Sequence, residues 1–81
     1  MRVEVQLFAT LAAFLPTGSR EGAATLDVPD SSTVRDVIQR LGLPPDLDRV
    51  TLVNGGDAPP DRALRPGDVV TVFPPLAGGL R

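Results

Sequence analysis

One short amphipathic helix limits what this chain can fold into. Four apolar residues recur at the spacing that places side chains on a single helical face. They are Val34, Val37, Ile38 and Leu41. Ser32 or Thr33 can cap the amino end of this helix, and Gly42 suits its carboxyl end. Because the apolar stripe has nothing else to bury against, it must cover one face of a sheet.

The first half of the chain also predicts two strands. Residues 2–8 and 24–28 alternate between apolar and polar side chains, as half-buried strands do. We expect these two strands to pair antiparallel. Between them, Thr10 can cap a short helical turn that ends before Pro16. Its apolar residues are Leu11, Phe14 and Leu15.

The second half predicts two more strands, separated by turns. Residues 49–53 are predicted to form a short strand. This strand should end at Asn54-Gly55, because this dipeptide is a strong turn signal. Ala58-Pro59-Pro60 cannot lie in a central strand, since neither proline donates a ladder hydrogen bond. Pro66-Gly67 is a second turn. Residues 69–73 are nearly all β-branched, which favours a strand buried on both faces.

This order of elements predicts the fold class. One helix must cover a small mixed sheet, and if the first and last strands are central neighbours, the two termini lie at opposite ends of that sheet. The arrangement is α+β, of the β-grasp or ubiquitin-like type, and we expect it over residues 1–74. Residues 75–81 are predicted to form a flexible tail.

The composition removes most enzymatic functions. The chain has no Cys, His, Trp, Tyr or Lys. Without Cys and His, metal binding through soft ligands and nucleophilic catalysis are largely excluded, and without Lys so is Schiff-base chemistry. The absence of Cys also excludes disulfides, so nothing indicates an oxidising compartment. The amino-terminal residues lack an apolar signal segment, and we expect a cytoplasmic location.

The charge pattern indicates no polyanionic or lipid partner. The net charge is −2 and the arginines are scattered, so we expect no binding to nucleic acid. No apolar run is long enough to span a membrane. A metal site is not expected either, because loop aspartates are usually solvated and these match no calcium loop. They are Asp46, Asp48, Asp57 and Asp61.

The carboxyl-terminal sequence is the candidate functional site. It reads Phe73-Pro74-Pro75-Leu76-Ala77-Gly78-Gly79. The two prolines favour a stiff, extended backbone, and the two glycines add almost no bulk. From Phe73 to Gly79 such a segment spans roughly 20 Å, enough to thread a narrow channel in another protein. We expect Phe73 to close the core and Leu76 to be an exposed docking residue.

Five short motifs occur in a specific order along the chain. They are Val5-Gln6-Leu7-Phe8-Ala9, Thr33-Val34-Arg35-Asp36-Val37, Leu52-Val53-Asn54-Gly55, Leu64-Arg65-Pro66-Gly67-Asp68 and the ending Phe73 to Gly79. Over essentially its full length the chain therefore resembles the MoaD/ThiS family of ubiquitin-like sulfur carriers. The helix between the first two strands makes it more similar to MoaD, the molybdopterin branch, than to ThiS, the thiamine branch.

The resemblance implies a carrier with no catalytic residue of its own and no bound cofactor. A partner adenylating enzyme, of the kind that activates ubiquitin, would use ATP to activate the carboxylate of Gly79. Sulfur would then replace AMP, and the thiocarboxylate would donate sulfur to a cofactor precursor held by a synthase large subunit. Gly78 is the second residue of the implied acyl-carrier site. The implied partner-binding residues are Phe73, Pro74, Pro75, Leu76 and Ala77.

The sequence departs from this family at its end. Family members that act directly end at the second glycine, whereas here Leu80-Arg81 follows, so Gly79 would carry a peptide bond. We therefore expect a processing peptidase to remove two residues. Two alternatives stay open. One is a ubiquitin-like modifier joined through Gly79 to lysines of target proteins, and the other is a β-grasp docking or regulatory module that never uses its terminus.

Overall fold

The computed structural model describes residues 1–15, 22–44 and 48–74, and for Thr10 the backbone alone. In this part the chain forms five strands, one 3-10 helix and one α-helix. The strands are β1 (Arg2–Leu7), β2 (Ala23–Asp27), β3 (Val50–Val53), β4 (Gly56–Asp57) and β5 (Val69–Phe73), the 3-10 helix is Ala9–Phe14, and the α-helix α1 is Val34–Leu41. The predicted flexible tail, residues 75–81, lies outside the described residues.

The strands form one mixed sheet in the order β2-β1-β5-β3-β4. β1 and β5 are neighbours in the middle of the sheet and run parallel, while the other pairings are antiparallel. The chain therefore enters at one end of the sheet and leaves β5 at the opposite end. This is the predicted β-grasp topology, and the predicted antiparallel pairing of β1 with β2 is confirmed.

α1 covers one face of the sheet with the predicted apolar stripe. Its buried residues are Val34, Val37 and Ile38, and Leu41 packs against the margin of the core. Thr33 caps the helix: its hydroxyl accepts a hydrogen bond from the Asp36 N–H (3.3 Å), and the Asp36 carboxylate accepts one from the Thr33 N–H (2.9 Å). Gly42 ends the helix at a φ of 84°, a left-handed conformation that glycine adopts without strain.

The segment between β4 and β5 covers the amino end of α1. The Val34 N–H donates to the carbonyl of Arg62 (3.0 Å), so one of the helix's first N–H groups has a partner outside the helix. Ser32, the other predicted cap, instead donates its hydroxyl to the Pro29 carbonyl (2.6 Å). Neither helix in the described residues is long and apolar enough to cross a membrane.

The short helix differs from the prediction at its start. It runs from Ala9 as a 3-10 helix with no side-chain cap, so Thr10 lies inside the helix and does not cap it. Ala9 has a φ of 55°, and this left-handed residue turns the chain out of β1. Leu11 is buried and holds the helix on the core.

β4 is a short strand that the sequence does not predict. It follows the predicted Asn54-Gly55 turn, whose two residues have φ values of 52° and 86° and fold β4 back onto β3. β4 has two residues, glycine and aspartate, and therefore carries no apolar alternation. Ala58-Pro59-Pro60 follows it and, as predicted, forms no central strand.

β5 is buried on one face, and the prediction of burial on both faces is wrong. Val70 and Val72 are fully buried on the face that α1 covers. Val69, Thr71 and Phe73 are half-buried on the opposite face, here called the outer face. The prediction that Phe73 closes the core is therefore also wrong, because Phe73 follows the inward-facing Val72 by one residue and must point outward.

Candidate functional site

The structure describes two of the residues predicted to form the functional site, Phe73 and Pro74. The others lie outside the described residues: Pro75, Leu76, Ala77, Gly78 and Gly79. The structure thus locates the point at which the carboxyl-terminal sequence leaves the sheet. The surroundings of that point form the candidate site.

The chain leaves from the middle of the sheet. Phe73 is the last residue of β5, which lies between β1 and β3. On the β3 side Phe73 is paired with Val50, and on the β1 side the Phe8 N–H donates to the Val72 carbonyl (3.1 Å). Because strands hold β5 on both sides, the sequence that follows starts from a fixed point.

An aromatic pair lies at this exit. The ring centroids of Phe8 and Phe73 are 6.4 Å apart, with the ring planes inclined by 53°. Phe8 is 46% exposed, which is unusual for so large an apolar side chain. Sequence reasoning missed Phe8, although a signal existed: Phe8 continues the polar phase of Arg2, Glu4 and Gln6 and so must share their outer face.

The apolar surface extends from this pair onto β3. Val50 is paired with Phe73 and Leu52 with Thr71, so both β3 residues lie on the outer face. Both are half-buried. We call Phe8, Val50, Leu52 and Phe73 the outer patch. A partly exposed apolar surface beside the chain's exit is the kind of surface that another protein covers.

The polar side chains beside the outer patch bond to one another. The Thr71 hydroxyl donates to the Gln6 amide oxygen (3.4 Å), and the Gln6 amide nitrogen donates to the Glu4 carboxylate (3.0 Å). The hydroxyl and amide groups are therefore already paired. Glu4 gives this border of the patch a negative charge.

The start of β5 is fixed by a second group of bonds. The Asn54 side chain donates to Asp68 Oδ1 (3.0 Å) and accepts from the Val69 N–H (3.0 Å). The Arg65 N–H donates to Asp68 Oδ2 (2.9 Å). The hydrogen bond from Arg65, followed by that from Asn54, holds the pKa of Asp68 below its ordinary value. These bonds link the two predicted turns, Asn54-Gly55 and Pro66-Gly67, to each other and to the start of β5.

A separate cleft of about 610 Å³ lies between α1 and the β3–β4 edge. Val34 and Ile38 contribute apolar surface to it, and Arg35, Asp48 and Asp57 contribute charges of both signs. Asp48 and Asp57 belong to the aspartates considered as metal ligands. Among the described residues, no group of three or more His, Cys, Asp or Glu side chains could hold a metal ion.

Residues 1–78 match the family model described as Mut7-C ubiquitin. The chain belongs to the Mut7-C ubiquitin family. The match includes the whole sheet, α1 and the sequence up to Gly78. A search of curated proteins gives no significant match to this Mut7-C ubiquitin chain.

The Mut7-C ubiquitin chain is also similar to solved structures. Two are crystal structures of small archaeal modifier protein 1 from Haloferax volcanii. One is 29% identical with a TM-score of 0.76, covering 98% of this chain and 100% of that one. The other is 28% identical with a TM-score of 0.73, and the match covers 91% of this chain and 97% of that one. A third structure is a putative molybdopterin converting factor, subunit 1, from Pyrococcus furiosus. It is 28% identical with a TM-score of 0.70, and the match covers 91% of this chain and 97% of that one.

The predicted resemblance is confirmed in its coarser part. The chain is a small ubiquitin-like β-grasp protein related to the archaeal modifier and to a MoaD-like factor. The family whose model matches is Mut7-C ubiquitin. The motifs that carried the resemblance lie largely at turns and strand ends, and they identified the ubiquitin-like fold and its relatives.

Proposed function

We propose that this chain is a sulfur carrier whose Gly79, once freed from Leu80-Arg81, becomes a thiocarboxylate for the synthesis of a molybdopterin-type cofactor. The observation that carries the proposal is the course of β5. This strand is fixed in the middle of the sheet and ends at the partly exposed outer patch, and the sequence after it runs through Pro74 to a glycine pair. The similarity to a putative molybdopterin converting factor subunit supports the class of cofactor.

The chemistry uses a carboxyl carbon because the sequence has no thiol to hold sulfur. A peptidase hydrolyses the bond between Gly79 and Leu80 with water and leaves a carboxylate on Gly79. This carboxylate attacks the α-phosphate of ATP, pyrophosphate leaves, and an acyl adenylate forms. Hydrosulfide from a sulfur donor attacks the acyl carbon, AMP leaves with the electron pair of the broken bond, and loss of a proton gives the thiocarboxylate.

The partner enzymes perform these steps, and the chain supplies a shape and a reactive end. Glycine has no β-carbon, so its acyl carbon is open to attack inside a narrow channel. The partners are an adenylating enzyme, which binds the ATP, and the large subunit of a synthase, which holds the sulfur acceptor. We assign the outer patch to their docking, because it is apolar and adjoins the residues that must enter them.

A second candidate is a protein modifier, favoured by the similarity to small archaeal modifier protein 1. The activated Gly79 would then react with a lysine of a target protein. The lysine nitrogen attacks the acyl carbon, AMP leaves, and the nitrogen loses a proton to give an amide. Because the chain has no lysine, it cannot form polymers of itself through lysine side chains.

The test compares three forms of the chain by intact mass. A form that ends at Gly79 is incubated with an adenylating enzyme from the same cell, ATP and sulfide, and should gain the mass difference between sulfur and oxygen. The full-length chain should gain nothing, because its Gly79 has no free carboxylate. Gly79→Val in the shortened form should also gain nothing, because a branched side chain crowds the acyl carbon.

A fourth form, Phe8→Ser in the shortened chain, tests the outer patch and should be activated more slowly although it remains folded. Attachment of the shortened chain to target lysines would support the modifier instead. Activation of the full-length chain at the same rate would contradict the processing step. If no adenylating enzyme of the cell activates the shortened form, the docking module replaces the carrier.

A further inference from the structure

β2 lies at an edge of the sheet, so half of its backbone N–H and C=O groups point away from β1, towards the open side of the sheet. Met1 and Val28 exchange both of their backbone hydrogen bonds (2.7 and 2.9 Å). Bonded and non-bonded pairs alternate in an antiparallel ladder. The β2 residues of the non-bonded pairs are therefore Ala23, Thr25 and Asp27. Within the described part of the chain, the N–H and C=O groups of these residues have no hydrogen-bond partner.

The opposite edge is protected, whereas nothing in the described part of the chain protects the β2 edge. β4 has two residues and precedes Ala58-Pro59-Pro60, whose prolines offer no N–H to a further strand. β2 pairs with β1 over five consecutive residues, without a proline, a lysine or a bulge. Its charged residue, Asp27, faces Arg2 of β1, with 3.6 Å between Oδ1 and Nε. An edge with these properties can accept another strand.

We propose that β2 pairs antiparallel with β2 of a second copy of this chain, about a two-fold axis at Thr25. In this register Thr25 faces Thr25 of the second copy, and Ala23 faces Asp27. The outward groups of both strands then form a ladder centred on the axis. The two five-stranded sheets become one continuous sheet.

The side chains of β2 suit a second copy on both faces of the sheet. On the outer face Thr25 meets an identical neutral residue, and Asp27 meets the small Ala23, so no like charges are opposed. On the α1 face Ala24 meets Leu26, and both are half-buried residues that the pairing would cover further. This self-complementary pattern favours a second copy over an unrelated strand.

The arrangement leaves the exit of the chain free. β1 separates β2 from β5, so the junction between copies lies away from Phe73, where the chain leaves the sheet. The two-fold axis runs perpendicular to the sheet, and both outer faces therefore lie on the same side. The dimer therefore presents both outer patches on one side of the sheet, while its two chains leave β5 in opposite directions along the strands. This inference does not depend on the sulfur-carrier proposal.

Sedimentation equilibrium tests the association directly. The mass of the full chain should rise with concentration from 8.5 kDa towards twice that value. Thr25→Pro removes the central outward N–H and should remain a monomer, whereas Thr25→Val keeps that N–H and should still dimerise. Thermal unfolding of each variant shows whether it is folded. A parent chain that stays monomeric up to millimolar concentration overturns the proposal.

Cross-linking tests the register, because the chain has no cysteine of its own. Thr25→Cys should be joined by a short bifunctional thiol reagent, since the Cα atoms of a bonded pair lie about 5.5 Å apart. Ala23→Cys should not, because the two copies of that position lie about 14 Å apart along the strands. Equal cross-linking at both positions overturns the register.

Two charged substitutions at Ala23 should change the dissociation constant of the dimer in opposite directions. Ala23→Lys places a cation opposite Asp27 and should lower the dissociation constant of the dimer several-fold. Ala23→Glu places two anions opposite each other and should raise it by a similar factor. The same response to both substitutions overturns the pairing of Ala23 with Asp27.

Discussion

Asp68 shows how a single turn residue can stabilise the strand that leads to the candidate functional site. Its carboxylate accepts bonds from the Arg65 backbone and the Asn54 side chain, which the folded chain brings together. The sequence predicts both turns, because Asn54-Gly55 and Pro66-Gly67 carry strong local signals. It does not predict the contact between them, since that contact depends on the pairing of β3 with β5.

We expect this contact to make stability depend on acid pH. The pKa of Asp68 is lowered from 3.8 in the folded chain. Its contribution to the free energy of unfolding is therefore complete above the unfolded-state pKa and is lost as the pH falls through the lower, folded-state pKa. Chemical denaturation at a series of acidic pH values measures this loss.

Two variants separate Asp68 from the other carboxylates. Asp68→Asn should remove this part of the pH dependence. Asn54→Ala removes one donor, raises the folded-state pKa of Asp68, and should move the loss of stability to higher pH. An unchanged acid profile in Asp68→Asn would show that another group is responsible.

At the scale of elements, α1 could be predicted almost to its boundaries. Its stripe, its cap at Thr33 and its end at Gly42 are all local signals, and the structure confirms each of them. The burial of β5 is harder to predict, because a run of β-branched residues does not reveal whether one or both faces of the sheet are covered. With α1 on one side, Phe73 and Thr71 remain on the outer face.

Packing of α1 predicts a large effect from one truncation. Ile38 is 3% exposed, and Ile38→Ala should lower the free energy of unfolding by about 2–5 kcal/mol, because it leaves a cavity under the helix. Gln39→Ala, on the exposed face, should change it by less than about 0.5 kcal/mol. Urea denaturation followed by circular dichroism compares them. Similar losses of unfolding free energy in Ile38→Ala and Gln39→Ala would contradict the packing of α1 on the sheet.

The capping box predicts a smaller, specific effect. Thr33→Ala removes the hydroxyl that accepts from the Asp36 N–H and should cost about 1 kcal/mol of stability. Thr33→Ser keeps the hydroxyl and should stay close to the parent in the same denaturation experiment. If Thr33→Ser loses as much stability as Thr33→Ala, the hydroxyl is not the group that stabilises the helix.

At the scale of the whole molecule, the sequence predicted the fold better than the site. The strand and helix patterns required one helix on one mixed sheet, and the central β1–β5 pair is as expected. The candidate site was predicted from the carboxyl-terminal sequence, of which the structure describes Phe73 and Pro74. The outward position of Phe8 follows from the alternation in β1, but the outer patch could not be predicted, because its surface exists only when β1, β5 and β3 are side by side.

In the proposed function, Gly79 becomes the reactive end of a sulfur carrier. The intact mass of the protein recovered from its native cell is the sharpest test of this function. We expect a chain that ends at Gly79, with a fraction in which sulfur replaces one carboxylate oxygen. A chain found only with Leu80-Arg81 still attached to Gly79, and with no sulfur, would contradict it.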